Sequence, residues 1–151
     1  MNNTRIRTQS LYDKDFYQWA ISTAQALKSG HFDQVEIDYL ADEVESMAKR
    51  DYRELISRLT VLLAHLLKWH FQPLQRCASW TGTIREQRVQ IELLFNDSPS
   101  LKPKLVKLLE DSKIYTGALK IVLNETGLQM SELPKSLPYA LEQILDEDYL
   151  P

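Results

Sequence analysis

The sequence predicts an all-α protein that folds as a single helical bundle. Apolar residues recur at intervals of three and four through every long segment, which is the periodicity of an amphipathic helix. No segment shows the strict alternation that is typical of a half-buried strand. Only four glycines and six prolines occur among 151 residues, so long irregular segments are not expected. We therefore expect about five main helices and a short C-terminal one, joined mostly by short loops and packed roughly antiparallel.

The first two helices are predicted from their caps and their apolar stripes. Ser10, followed by Asp13 three residues later, resembles a capping box, and Gly30 is suited to end the helix. Asp33 and Glu36 mark a second helix start. This second helix carries a continuous apolar stripe made of Ile37, Leu40, Ala41, Val44, Met47 and Ala48. Such a stripe is typical of an amphipathic helix.

The third and fourth helices have clear boundaries. A third helix is predicted over residues 51–71, with a leucine-rich face, and Pro73 stops it. Ser79 is a suitable N-cap for a fourth helix over 80–95.

The C-terminal part of the chain is predicted to hold one long helix and one short helix. A turn at 96–99 precedes a long fifth helix, which ends at Gly127 in the position expected of glycine. A connection with two prolines at 133–138 then leads to a short helix over 139–145.

Length and composition favour one globular domain. We expect residues 1–10 to form a tail and residues 11–151 to form the domain. The longest apolar run, 61–67, is interrupted by His65 and is far shorter than the roughly 18 residues that a membrane span needs. The N-terminal residues lack the apolar segment of a secretory signal. Cys77 is the only cysteine, which fits a reducing cytoplasm.

Charge is spread unevenly along the chain. Ten acids against five bases make residues 13–55 acidic, and ten acids against six bases do the same for residues 91–151. Five bases against one acid make residues 56–90 basic. The basic middle therefore has acidic partners on both sides within the chain, and an external anion is the alternative partner.

Arg88 is the most informative single residue. It lies in the middle of an apolar stripe of the fourth helix, which is formed by Trp80, Ile84, Arg88, Ile91 and Phe95. A guanidinium on a core face must find a carboxylate or several carbonyl groups. We predict Glu43 as the partner, with Glu36 as the other choice. The pair would be structural, or Arg88 would bind a ligand.

His65 occupies a similar position at the border of the third helix's apolar face. Arg58 lies two turns before it on the same stripe. A histidine here is a hydrogen-bonded core residue, a metal ligand or a general base. A metal site would combine His65 with Glu43 or Glu45, but no helix carries a Glu-x-x-His pair. We predict no cofactor.

These residues form one predicted polar site or buried network, made of Glu43, Arg58, His65, Lys68, Trp69, Trp80, Arg85 and Arg88. Part of it lies in the basic segment 76–88, where arginines near Trp80 are a weak signal for nucleic-acid binding. The inward position of Arg88 and a sequence pI near 5.6 argue against that function.

A series of short motifs follows one another through nearly the whole chain. They lie at 11–17 with Trp19, 43–47, 65–69, 72–73, 79–80, 83–88, Leu94, 97–101, 138–139 with Leu141, and 146–151. In order and spacing these motifs resemble the bacterial family called domain of unknown function 29, which is abundant in cyanobacteria. The resemblance implies a small all-helical protein of unassigned activity. It also implies a shared pocket or a shared polar core, because eight predicted residues fall in the family's motif segments: Glu43, Glu45, His65, Lys68, Trp69, Trp80, Arg85 and Arg88.

The function favoured by the sequence is a cytoplasmic, non-catalytic interaction or regulatory module, because no recognised catalytic motif is present. The acidic residues 146–148 follow a helix C-terminus, where negative charge is unfavourable. They need a basic partner, which is Arg85 or Arg76 within the chain, or another protein. The module itself is predicted to bind another protein or a second copy. One alternative is a metal-dependent or small-molecule-binding enzyme that uses His65 with Glu43 or Glu45. Another is nucleic-acid binding through 76–88. No membrane association is predicted.

Overall fold

The computed structural model describes residues 10–151, so the predicted tail at 1–10 lies outside the described residues except for Ser10. Within them the chain forms α-helices and no strand, which confirms the all-α class. The helices are α1 (Leu11–Lys14), α2 (Phe16–Ser29), α3 (Ile37–Phe71), α4 (Ala78–Asp97), α5 (Lys102–Glu110), α6 (Ser112–Glu125) and α7 (Leu141–Leu145). Short 3-10 turns occur at Phe32–Gln34, Pro73–Gln75, Pro99–Leu101 and Met130–Glu132.

The chain forms two compact units, which are described separately. Unit 1 ends at Lys49, and unit 2 comprises Arg50–Pro151. A single domain over residues 11–151 remains a prediction.

Unit 1 contains α1, α2 and the beginning of α3. Asp15 separates α1 from α2 because its carboxylate accepts a hydrogen bond from the backbone N–H of Gln18 at 3.0 Å, which makes it an N-cap. Gly30 ends α2 in the left-handed conformation, with φ at 76°, as the sequence predicts. The buried residues of this unit are few, namely Trp19, Thr23, Ala26 and Val35.

Unit 2 has a large aliphatic core built around the C-terminal half of α3. Its leucines are inaccessible to solvent at positions 55, 59, 62, 63, 66 and 67. Every other helix of the unit contributes to the same core, through Ile84, Ile91, Leu105, Ala118, Val122 and Ile144. Fully burying one such side chain contributes about 1.5–3 kcal/mol, so this core dominates the stability of the unit.

The predicted Ser79 N-cap is wrong, because α4 already begins at Ala78 with Cys77 as its N-cap.

Helices are joined or divided differently from the prediction in three places. The predicted second and third helices are one continuous helix, α3, because the residues between them include neither glycine nor proline. The predicted first helix is divided at Asp15. The predicted fifth helix is divided at Asp111, whose side chain caps α6 by accepting from the N–H of Lys113 at 2.9 Å. Both divisions come from an aspartate N-cap.

No helix within residues 10–151 combines the length and apolar character that crossing a membrane requires.

Candidate functional site

Arg88 lies on α4 with only 4% of its surface exposed, in agreement with its place in the apolar stripe. Its Nε donates to the carbonyl of Ile144 at 2.8 Å, and its Nη2 donates to that of Gln143 at 3.2 Å. Its Nη1 makes a longer contact of 3.4 Å to the carbonyl of Glu147. These carbonyls lie in and just beyond the last turn of α7, where backbone oxygens have no partner within the helix. Arg88 therefore caps the C-terminus of α7.

Arg88 also faces the acidic tail. Burial lowers the pKa of Arg88, whereas the carboxylates of Asp146 and Glu147 act in the opposite direction. The sequence predicts Arg85 or Arg76 as the basic partner of these acids, whereas the structure also brings Arg88 close to them. Arg85 is exposed and borders a small cleft of about 100 Å³ that Glu147 also lines. Arg88 is thus more buried beside the acidic tail than Arg85, and it is also the residue for which the sequence predicts a carboxylate partner.

The prediction that Arg88 pairs with Glu43 is wrong, because the hydrogen bonds of Arg88 go to backbone carbonyls. The guanidinium uses three carbonyls, since a planar fork with five donors suits a cluster of acceptors. Within unit 1, Glu43 accepts a hydrogen bond from the Tyr12 hydroxyl at 2.6 Å. This hydrogen bond raises the pKa of Tyr12, and burial raises it further. Glu36, the other predicted partner, accepts from Trp19 Nε1 at 3.0 Å.

Lys68 and His65 lie on the C-terminal half of α3. Lys68 is 5% exposed, its Nζ donates to Glu125 at 2.7 Å, and it lies 4.7 Å from the centre of the Trp80 ring. His65 is half-buried and donates from Nδ1 to the carbonyl of Val61 at 2.9 Å. Burial lowers the pKa of His65 below its usual 6.5; the Val61 hydrogen bond opposes this shift and the charge of Lys68 adds to it. His65 is therefore a hydrogen-bonded side chain whose burial favours the neutral form.

The other predicted residues of unit 2 also have specific partners. Arg58 pairs with Glu54 at 3.2 Å and donates to Gln87 at 3.5 Å. Trp69 supports the guanidinium of Arg76, which lies 4.8 Å from its ring centre and donates to the Trp69 carbonyl at 2.9 Å. The side chains that the sequence groups into one network thus form several distinct sets of contacts.

The metal hypothesis depended on His65 with Glu43 or Glu45. Glu45 forms an exposed ion pair with Lys49 at 3.1 Å. In the part of the chain that the structure describes, no three His, Cys, Asp or Glu side chains come together in a group that could hold a metal ion.

Two open clefts of unit 2 are lined mostly by residues outside the predicted polar site. One, of about 270 Å³, is lined by Arg88, Ile91, Glu92, Phe95, Lys102, Leu145 and Glu147. The other, of about 310 Å³, is lined by Tyr52, Ser100, Pro103, Lys104 and Lys107. The first cleft carries charges of both signs on an apolar floor, so it favours neither an anion nor a cation. The clustered lysines at the start of α5 were the only sequence signal for the second.

Unit 1 exposes an apolar helix face, which corresponds to the apolar stripe of the predicted second helix. We call it the apolar face of α3, and it comprises Ile37, Ala41, Val44, Met47 and Ala48. The exposed fractions are 60% for Ile37, 58% for Val44 and 56% for Met47. Further along the same helix, the leucines of unit 2 are fully buried. The two halves of α3 therefore have the same periodicity but opposite accessibility.

A protein-family model matches residues 11–150, nearly the whole chain, under the description "Domain of unknown function DUF29". This chain belongs to the DUF29 family. The match confirms the resemblance inferred from the short motifs. For this DUF29 chain, comparison with curated proteins and with solved structures found no match.

The DUF29 match places every predicted site residue, from Glu43 to Arg88, inside the family's region. It assigns no activity to them.

Proposed function

We propose that this chain is a cytoplasmic, non-catalytic interaction module, and that it binds another protein through the apolar face of α3. One observation carries the proposal. Within residues 10–49, nine large hydrophobic side chains are exposed, while the buried ones are Trp19, Ala26 and Val35. The exposed ones are Leu11, Phe16, Tyr17, Ile21, Leu27, Phe32, Ile37, Val44 and Met47.

This imbalance supports an interaction surface on physical grounds. Scattered exposed hydrophobic residues are normal, but apolar patches that are contiguous mark contact sites. Ile37, Val44 and Met47 lie on one face of one helix, so a partner would cover them together. Burying each of these half-exposed side chains contributes on the order of 1 kcal/mol, by the area relation for apolar surface. A unit with so small a core gains more from a partner than one with a complete core.

The contacts of the polar residues support a non-catalytic role. Arg88 caps a helix, Lys68 is paired with Glu125, and His65 is bonded to the backbone of its own helix. Each of these contacts stabilises the fold without requiring a ligand. The single, exposed cysteine, Cys77, supports the cytoplasm as the compartment, since a reducing environment keeps a lone thiol free.

The proposal is tested by affinity capture from native lysate with matched variants. Val44→Glu places a charge in the apolar face, whereas Ser46→Glu places the same charge on an exposed part of the same helix away from that face. We expect the wild type and Ser46→Glu to retain a stoichiometric partner that Val44→Glu loses. Light scattering on the purified protein distinguishes a second copy from another protein. A partner retained equally by all three proteins, or by none, would contradict the proposal.

A further inference from the structure

The apolar face of α3 has the register of a helix that pairs with another helix. Ile37, Ala41, Val44 and Ala48 follow one another at steps of four, three and four. These are the d and a positions of a heptad repeat, which form the contact seam between paired helices. In this register Asp38 and Glu45 occupy the e positions that border the seam.

The two edges of this face are different. On one side, Glu36 and Glu43 accept hydrogen bonds from Trp19 and Tyr12, so that edge is already packed by α1 and α2. On the other side lies a row of exposed carboxylates, made of Asp38, Asp42 and Glu45. Lys49 neutralises part of this row through its ion pair with Glu45. Within residues 10–151, no hydrogen bond or ion pair engages the side-chain carboxylate of Asp38 or Asp42. The free edge of the apolar face is therefore acidic.

The charges on this edge argue against a second copy as the occupant. In an antiparallel pair of identical helices, e positions face e positions, which would bring Asp38 and Glu45 opposite each other. In a parallel pair, e positions face g positions, which here are the apolar Leu40 and Met47. Neither arrangement gives the carboxylates a cation, and in the antiparallel pair the like charges select against pairing.

We propose that the apolar face of α3 binds an amphipathic helix of another protein that carries lysine or arginine along one edge of its apolar stripe. This inference rests on the proposed function and adds the chemistry of the partner. Leu, Val or Ile residues of the partner would cover Ile37 and Val44, and the two alanines at 41 and 48 would allow close approach. The basic edge would lie against Asp38 and Glu45. Such charge pairs select the partner more than they add affinity.

The test uses two synthetic helical peptides, about three heptads long, with identical Leu/Ala faces. One peptide has lysine at its edge positions and the other has glutamate. Fluorescence anisotropy measures the affinity of each peptide for the full chain at low salt. We expect the lysine peptide to bind about tenfold more tightly than the glutamate peptide, and high salt to reduce the difference.

Charge reversal gives the decisive comparison. The double variant Asp38→Lys with Glu45→Lys should prefer the glutamate peptide, and the milder Asp38→Asn with Glu45→Gln should bind both peptides alike. Circular dichroism confirms that each variant is folded. If the wild type binds both peptides equally, or neither, or if reversal leaves the preference unchanged, the inference is overturned.

Failure of this inference can be distinguished from failure of the proposed function. Equal binding of both peptides that Val44→Glu abolishes would overturn the basic partner and leave the apolar face as an interaction surface. If neither peptide binds, the lysate comparison of Val44→Glu with Ser46→Glu decides the proposed function independently.

Discussion

Replacing Arg88 by methionine tests the capping role of this residue most sharply. Methionine keeps much of the apolar stem of the side chain but removes the three nitrogens that donate hydrogen bonds. The 2.8 Å bond to Ile144 is short and charge-assisted, and hydrogen bonds to charged groups contribute about 1.5–3 kcal/mol. The contacts of 3.2 Å and 3.4 Å are longer and partly exposed, so we assign them about 0.5–1 kcal/mol each. We therefore expect Arg88→Met to lower the free energy of unfolding by about 3–4 kcal/mol.

Urea unfolding at pH 7, followed by circular dichroism, measures this loss. Arg85→Met is the matched control, because Arg85 is exposed on the same helix, and it should change the stability by less than about 0.5 kcal/mol. Arg88→Lys retains a single donor group and should recover part of the loss. Combining Arg88→Met with Glu43→Leu should give additive effects within about 0.5 kcal/mol, since the two residues have different partners. A loss below about 1 kcal/mol for Arg88→Met, or recovery in the double variant, would refute the capping argument.

Three further predictions follow from the paired and buried groups. Glu125→Gln should destabilise more than Lys68→Met in denaturant unfolding, because it leaves a buried ammonium without its carboxylate; the reverse order would contradict the burial argument. His65 has a lower pKa in the folded protein than its usual 6.5, so the unfolded chain takes up a proton first as the pH falls. The contribution of His65 to the free energy of unfolding is therefore complete above about pH 6.5 and is lost as the pH falls below it. His65→Gln should flatten the dependence of stability on pH in that range. An unchanged pH dependence would refute this prediction. Tyr12→Phe removes the 2.6 Å hydrogen bond to Glu43, so amide hydrogen exchange should become faster in unit 1 and stay unchanged in unit 2. The same increase in both units would count against a local effect.

The helices could be predicted from periodicity, whereas their interruptions could not. Asp15 and Asp111 lie inside stretches with good helical spacing, and each ends one helix by capping the next. Aspartate occurs on the surface of helices as well as at the N-cap, so the residue type alone does not show whether a helix continues through it or begins after it. The opposite error lies at Lys49 and Arg50, because separate helices are predicted on either side of these residues although the stretch contains no helix breaker.

The buried position of Arg88 could be inferred from sequence because it shares a stripe with Ile84 and Ile91. Its partners could not, since they are backbone carbonyls more than fifty residues away and carry no side-chain signature. Lys68 shows the same limit: its place near His65 was visible, but Glu125 comes from a distant helix. Long-range partners of this kind depend on packing rather than on local pattern.

Exposure of the apolar face of α3 is the feature that the sequence could least determine. The stripe from Ile37 to Ala48 and the leucine-rich stripe of unit 2 have the same spacing, yet one is open and the other buried. Periodicity indicates which residues share a face, and only the arrangement of the neighbouring helices determines whether that face is covered.

Photo-crosslinking from single positions on α3 tests directly whether the apolar face of α3 contacts another protein. A benzophenone side chain at Val44 would report what contacts the apolar face in cells, and the same group at Ser46 is the control on the same helix. We expect a discrete heteromeric adduct from position 44 and none from position 46. Equal labelling from both positions, or no adduct from position 44, would contradict the claim that this face of α3 is an interaction surface.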